Sequence, residues 1–184
     1  NTIFGENAGE NTTTGYSNVY IGHDAGKSLT DGDSNVFIGK MAGRDSTTAT
    51  GAIYLGVGAG LNNEGGEYAI IIGNSAGVTG TAICDNIIIG REAANAGSIT
   101  GRYNTIVGMQ AGCDVTSGQY NTLLGHCAGT NLTSGDDNVM VGRGAGQIGA
   151  TTGDTNVFMG YYAGRCVSSG ASNVYIGKDA GNCA

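Results

Sequence analysis

The residues with the potential for chemistry are few and scattered. Ser75 lies in a Gly-x-Ser-x-Gly pattern, which in hydrolases places a nucleophile on the turn between a strand and a helix. His23 and His126 each follow a glycine, and neither has a partner that would make it a general base. The five cysteines contain no Cys-x-x-Cys spacing of the kind that holds zinc. The sequence therefore predicts no catalytic residue, no cofactor-binding residue and no metal ligand.

An internal repeat positions these residues. A short apolar run that ends in glycine recurs eleven times, and an alanine follows three residues after each closing glycine. The closing glycines are Gly5, Gly22, Gly39, Gly56, Gly73, Gly90, Gly108, Gly125, Gly142, Gly160 and Gly177. They are 17 residues apart, except for two intervals of 18. The pattern around Ser75 is one copy of this repeat, so it does not indicate a hydrolase.

The repeat predicts an all-β fold. A 17-residue unit is too short for two helices and a turn, but it suits one coil of a solenoid. The apolar run is β-branched or aromatic, which favours a strand, and glycines on either side permit tight corners. We therefore expect one domain over residues 1–184, a single β-solenoid (β-roll) of eleven coils with parallel, in-register strands. The strands are expected near residues 1–5, 18–22, 35–39, 52–56, 69–73, 86–90, 104–108, 121–125, 138–142, 156–160 and 173–177.

Composition excludes several classes of protein. The chain has 184 residues, of which 36 are glycine and none is proline, so it cannot be a collagen. Its net charge is −7 and no basic stripe is present, which disfavours nucleic-acid binding. No apolar run approaches the ~20 residues of a membrane span. Carboxylates at Asp33, Glu67, Asp136 and Asp154 share one repeat position, but Arg102 and Gln119 interrupt them, so a glycosidase is not expected.

Alternation along each strand predicts which side chains fill the coil. We expect the first and third strand residues to point inward beside the repeated alanine, and the opening asparagine to form a stacked ladder. The middle residue then points outward, and as a row these residues form a self-association stripe. Its members are Ile3, Tyr20, Phe37, Tyr54, Ile71, Ile88, Ile106, Leu123, Met140, Phe158 and Tyr175. The stripe is expected to be buried between chains or, alternatively, under the chain's own outer loop.

The cysteines offer two candidate disulfides. Cys166 and Cys183 each lie six residues after a closing glycine in adjacent coils, so stacking brings them within bonding range. Cys113 and Cys127 are also in adjacent coils, but their positions within the repeat differ by three residues. Cys84 would then be free or pair between chains. The alternative is that all five are small buried hydrophobic residues in a reducing compartment.

Other surface features point to glycans. Asn11 and Asn131 head Asn-x-Thr sequons, which makes them candidate glycosylation sites. Five loop tyrosines are suited either to stacking on sugars or to packing at corners. They are Tyr68, Tyr103, Tyr120, Tyr161 and Tyr162.

The segment GYSNVYIGHDAGKSLTDGDSNVFIGKMAG (15–43) resembles the head repeats of trimeric autotransporter adhesins, the YadA-like head. It is more similar still to the 17-residue repeats of phage tail-fibre-domain proteins and related bacterial surface proteins. The resemblance covers essentially all of the chain, and it implies a β-roll, extracellular exposure and a homotrimer.

The repeat, the stripe and the resemblance lead to one functional hypothesis. We expect a non-enzymatic structural protein, outside the cell on a cell surface, in a secreted filament or in a virion fibre. Its partner is itself, as a homotrimer or a helical filament with lateral or head-to-tail contacts. The alternative is an adhesin or receptor-binding fibre segment that binds cell-surface glycans of a host.

Overall fold

The computed structural model describes residues 1–80, 82–148 and 152–182, and no helix occurs among them. Eleven three-residue strands form one parallel sheet in chain order. They are β1 (Thr2–Phe4), β2 (Val19–Ile21), β3 (Val36–Ile38), β4 (Ile53–Leu55), β5 (Ile70–Ile72), β6 (Ile87–Ile89), β7 (Thr105–Val107), β8 (Thr122–Leu124), β9 (Val139–Val141), β10 (Val157–Met159) and β11 (Val174–Ile176). The predicted all-β solenoid with parallel, in-register strands is confirmed.

Each coil stacks on the next residue for residue. Tyr20 pairs with Phe37, and the register is kept across an 18-residue interval, where Ile88 pairs with Ile106. Main-chain hydrogen bonds continue beyond the strands. The Gly26 N–H, for example, donates to the Ala42 carbonyl at 2.9 Å. The axial hydrogen bonds therefore run through corners and turns as well as through the sheet.

Left-handed backbone turns the corners of each coil. In the second coil, φ is +59° at Ser17, +56° at Asp24 and +58° at Gly26. The closing glycine is more restricted, since φ is +134° at Gly22, a conformation that residues with a Cβ rarely adopt. A Cβ at Gly22 would also collide with the carbonyl oxygen of Gly39 in the next coil. Both features explain why glycine ends every strand.

The interior of the coil contains the middle strand residue, which corrects the predicted orientation. Tyr20, Phe37, Tyr54 and Ile71 are all 0% exposed. The prediction that the self-association stripe lies on the surface is therefore wrong. Of its eleven members, Ile3 in the first coil is exposed and Tyr175 is half-buried. The core contains the other nine: Tyr20, Phe37, Tyr54, Ile71, Ile88, Ile106, Leu123, Met140 and Phe158. The interior accommodates large side chains because the rings stack along the axis. The Tyr20 and Phe37 centroids lie 5.6 Å apart, and those of Phe37 and Tyr54 lie 4.5 Å apart.

The repeated alanine lies inside, as expected, and is buried in coils one to ten, from Ala8 to Ala163. A further inward position lies seven residues after the closing glycine. It is apolar in four of the described coils, as at Leu29 and Leu132, glycine in two, and polar at Thr12, Ser46 and Asn63. The Asn63 side chain donates to the Tyr54 hydroxyl at 2.7 Å, so this buried hydroxyl has a hydrogen-bond partner.

The predicted asparagine ladder is present. The Asn35 N–H donates to the Asn18 Oδ1 at 2.9 Å, and the Asn35 amide donates to the Ala49 carbonyl at 2.7 Å. The same pattern runs from Asn86 to Asn173. It is interrupted where the sequence has Ala52 and Ala69. Each buried amide thus satisfies main-chain groups in neighbouring coils, which links the coils along the axis.

Candidate functional site: the outer sheet face and its edges

The outward surface of the sheet is apolar. The first and third strand residues point away from the core, and we call their two columns the outer face. Ile21 is 36% exposed, Ile38 37% and Leu124 46%. Every residue of the outer face is apolar except Thr2, Thr105 and Thr122. Eleven coils at ~4.8 Å give this face a length of about 50 Å.

The edge of the outer face at the strand starts is acidic. This acidic edge consists of the residues two and three positions before each strand. Its charged members are Asp33, Glu67, Asp85, Asp136, Asp137 and Asp154, with Arg102 as the one cation. Several of these carboxylates also stabilise the stack: the Asp33 Oδ1 accepts from the Tyr16 N–H at 2.9 Å, and the Asp85 carboxylate lies 3.7 Å from Arg102.

The opposite edge carries cations. This basic edge is the residue two positions after each strand, and its charged or titratable members are Glu6, His23, Lys40, Arg91, His126, Arg143 and Lys178. Carboxylates in the following position pair with some of them, as Glu92 does with Arg91 at 3.7 Å and Asp179 with Lys178 at 3.9 Å. Within the described residues, Lys40 and Arg143 have no carboxylate partner. Two unpaired cations therefore lie beside the apolar face.

His23 has partners that the sequence did not reveal. Its ring nitrogens lie 3.0 Å from Asp24 and 3.8 Å from Glu6. The pKa of Asp24 is lowered, chiefly because the Asn7 amide donates to its carboxylate at 3.0 Å. The coil places Glu6 beside His23, since the two are 17 residues apart.

A small cleft opens at the basic edge of coils eight to ten. It has a volume of about 100 Å³ and is lined by His126, Cys127, Arg143, Gly144, Gln147 and Tyr162. The Cys127 thiol lies 3.5 Å from the His126 imidazole and 3.7 Å from the Gln110 amide oxygen. A thiol beside an imidazole is the pair that cysteine nucleophiles use. This thiol is buried, however, and no third side chain among the described residues orients the imidazole.

Aromatic rings and guanidinium groups cluster beside this cleft. The Arg143 guanidinium lies 5.5 Å from the Tyr161 ring centre, and that of Arg165 lies 4.5 Å from the Tyr162 ring centre. The Tyr161 and Tyr162 rings are 4.1 Å apart. The arrangement presents cations and ring faces together at one end of the basic edge.

The other predicted tyrosines lie on the acidic edge and are exposed. Tyr68 is 63% exposed, Tyr103 49% and Tyr120 55%. The rings of Tyr103 and Tyr120 stack at 5.1 Å. Although the tyrosines are exposed, the Tyr68 ring packs against the corner residue Gly51 of the preceding coil, as the alternative of corner packing expects.

The cysteines follow the predictions in part. Cys166 is disulfide-bonded, whereas Cys183, its predicted partner, lies outside the described residues. The predicted Cys113–Cys127 disulfide is wrong, because both are free thiols, as is Cys84. Their three-position offset places them on different parts of the coil: Cys127 lines the cleft, while the pKa of the Cys113 thiol is raised mainly by burial.

The two sequons lie in turns outside the sheet. Asn11 is exposed, and Asn131 is half-buried because its amide donates to the Ile148 carbonyl at 3.1 Å. Glycosylation at either residue stays a prediction. Ser75 lies in a corner at φ +52°, with its hydroxyl donating to the Asn74 side chain.

Within the described ranges, no group of three or more His, Cys, Asp or Glu side chains is placed to hold a metal ion. In that same part of the chain, no helix is long and apolar enough to cross a membrane. Comparison with known proteins adds no functional assignment, since no family model, curated protein or solved structure matches the chain.

Proposed function

We propose that this protein is a structural, non-enzymatic rod that associates with itself through the outer face and serves as a building block of an extracellular fibre. The observation that carries the proposal is the outer face, which is apolar at all but three threonine positions and runs the length of the sheet in contact with solvent. Monomeric proteins rarely leave such a patch uncovered when it exceeds a few hundred square ångströms. Self-association is still proposed, but through the outer face, which consists of the first and third strand residues, and not through the middle ones.

The stacked hydrogen bonds support a mechanical role. Axial bonds join neighbouring coils through the strands, the corners and the buried asparagines, so bending the rod requires many bonds to lengthen together. The disulfide of Cys166 supports a location in an oxidising compartment, which for a fibre means outside the cell.

Substitutions in the outer face test the proposal. Ile38→Lys with Leu124→Lys places two charges in the outer face, while both side chains stay in solvent in the single rod. We expect the unmodified protein to sediment as an assembly heavier than one 18.3 kDa chain and the double variant as a folded monomer with an unchanged circular dichroism spectrum. The control is Ile148→Lys, an equally exposed apolar residue in a turn, which should assemble normally.

The contrary results are equally clear. An unmodified protein that remains a monomer at about 100 µM contradicts the proposal, because specific protein interfaces form well below this concentration. Assembly of the double variant as efficient as that of Ile148→Lys would show that another surface is used.

A second candidate function is glycan binding, and the exposed stack of Tyr103 and Tyr120 favours it. Parallel, solvent-exposed rings are suited to the apolar faces of sugars. A glycan array decides this question: a ligand whose binding is lost in Tyr120→Ala and kept in Tyr16→Ala, another exposed tyrosine of the same edge, would support it. An array with no signal above background would exclude it.

A further inference from the structure

We propose that the partner of the outer face is a second copy of this chain that points in the same direction and lies in register, so that two rods pack face to face around an axis parallel to their length. This inference rests on the proposed self-association and adds its geometry. It follows from the charges on the two edges of the outer face.

The area of the outer face is sufficient for an interface between two rods. Three strand residues give a width of about 10 Å, and eleven coils give a length of about 50 Å, so each rod contributes about 500 Å². Two such faces together bury about 1,000 Å², which is near the lower bound for a specific interface. Because the two faces are equal in width, one can cover the other.

The two edges determine the direction. When two rods face each other and point the same way, the acidic edge of one lies opposite the basic edge of the other. When they point in opposite ways, acidic lies opposite acidic and basic opposite basic. Complementary charge across an interface mainly selects partner and orientation, which is the property needed here.

The charges also match coil by coil. The third coil carries Asp33 on its acidic edge and Lys40 on its basic edge, and the ninth carries Asp137 and Arg143. In a parallel, in-register pair, each of these coils meets its own counterpart, so carboxylate faces cation on both sides. Lys40 and Arg143 are the lysine and arginine of the basic edge that lack a carboxylate partner among the described residues of the single rod.

In an antiparallel pair, these same residues face like charges. With full overlap, the third coil of one rod meets the ninth coil of the other, so Asp33 faces Asp137 and Lys40 faces Arg143. The sixth coil meets itself, which places Arg91 opposite Arg91. Like charges thus disfavour the antiparallel pair at the positions where the parallel pair is stabilised. Its two opposite-charge contacts use cations that already have carboxylate partners in the single rod. These contacts are Glu6 with Lys178 and Glu67 with Arg102.

Single charge reversals distinguish the two arrangements by the sign of their effect. The self-association constant is measured by sedimentation equilibrium at low salt for Lys40→Glu, Asp137→Lys and their combination. We expect each single reversal to weaken the parallel pair about tenfold, because every contact occurs twice, and the combination to weaken it further. In an antiparallel pair each reversal relieves a repulsion, so association would strengthen.

A compensating pair completes the test. Arg143→Glu should weaken association, and adding Asp137→Lys should restore most of it, because both changes fall in the same coil. Glu64→Lys makes the same charge change in an exposed turn and should have no effect. Stronger association in Lys40→Glu, or no rescue in the paired variant, overturns the parallel arrangement. A wild-type protein that does not associate at all contradicts the proposed function instead.

Discussion

At the scale of the residue, a closing glycine satisfies two requirements that are separable by experiment. Gly73 has φ +139°, and a Cβ there would collide with the carbonyl oxygen of Gly90. Gly177 has φ +121°, but a Cβ there would meet nothing within 4 Å. Backbone strain of this kind costs ~1–3 kcal/mol, and a collision with main chain adds to that.

We therefore predict that Gly73→Ala lowers the free energy of unfolding by more than ~3 kcal/mol, and that Gly177→Ala lowers it by ~1–3 kcal/mol. Urea denaturation followed by circular dichroism measures both. Gly65→Ala serves as the control, since a Cβ there lies no closer than 3.6 Å to any atom. Equal losses for Gly73→Ala and Gly177→Ala would mean that close approach between coils contributes nothing.

Two buried tyrosines differ in how their hydroxyls are satisfied. The Tyr54 hydroxyl accepts from Asn63, whereas the buried Tyr20 hydroxyl has only the Thr12 hydroxyl beside it and makes no hydrogen bond of good geometry. An unsatisfied buried hydroxyl is costly, and losing one member of a buried pair costs ~1–3 kcal/mol. We predict that Tyr20→Phe stabilises the protein and that Tyr54→Phe destabilises it. Thermal unfolding of the two variants tests this, and a loss of stability in Tyr20→Phe would contradict it.

The same tyrosines predict sensitivity to alkaline pH. Burial raises the pKa of Tyr20 and of Tyr54 above the value of about 10 for an exposed tyrosine. The folded state therefore holds these protons more tightly than the unfolded state, so their contribution to stability is complete below pH ~10 and declines as the pH rises above it. Denaturation at pH 8 to 11.5 should show this decline, and the combined Tyr20→Phe and Tyr54→Phe variant should show a smaller one.

At the scale of the element, the repeat predicts the strands but not which of their faces is inside. A three-residue strand with apolar side chains on both sides fits either phase of the alternation. The prediction placed the first and third strand residues inside because they share one face beside the repeated alanine, which left the larger middle residues outside. The discriminating signal is the distribution of threonine: Thr2, Thr105 and Thr122 occupy the first strand position, and no polar residue other than tyrosine occupies the middle one.

Other features follow from spacing alone. The asparagine ladder and the inward alanine are set by one repeat position each, so stacking at a fixed interval is sufficient to predict them. The partners of His23 and the cleft beside Cys127 depend on side chains from different repeat positions meeting across coils. Predicting such contacts requires knowledge of the path of the backbone through each corner, which the repeat length does not specify.

Adjacent residues of one strand test the orientation. Ile71 is fully buried, whereas Ile72 lies on the outer face and is half-buried in the single rod. We predict that Ile71→Ala costs ~2–5 kcal/mol and Ile72→Ala less than ~1 kcal/mol, with both measured by urea denaturation at a protein concentration below that of self-association. A larger loss for Ile72→Ala would restore the orientation that the sequence first suggested.

At the scale of the whole molecule, the stability of each coil depends on the coils next to it. Each strand contacts only the strands directly before and after it, so every interior coil has two neighbours and each end coil has one. In a linear array of this kind, the stability of a coil depends on its own energy and on its two interfaces. The burial of the middle strand residue shows the same gradient, since it is complete in β5 and partial in β11.

Amide hydrogen exchange measures this gradient along the rod. The Gly22, Gly90 and Gly177 N–H groups each donate to the preceding coil at 2.8 Å, so their local hydrogen bonds are matched in length. We predict that Gly90 exchanges at least ~100-fold more slowly than Gly22 or Gly177, because opening near an end breaks one interface and opening in the centre breaks two. Ile71→Ala should lower protection on both sides of the fifth coil before it affects the ends. Equal protection at all three glycines would show instead that the rod unfolds as a single cooperative unit.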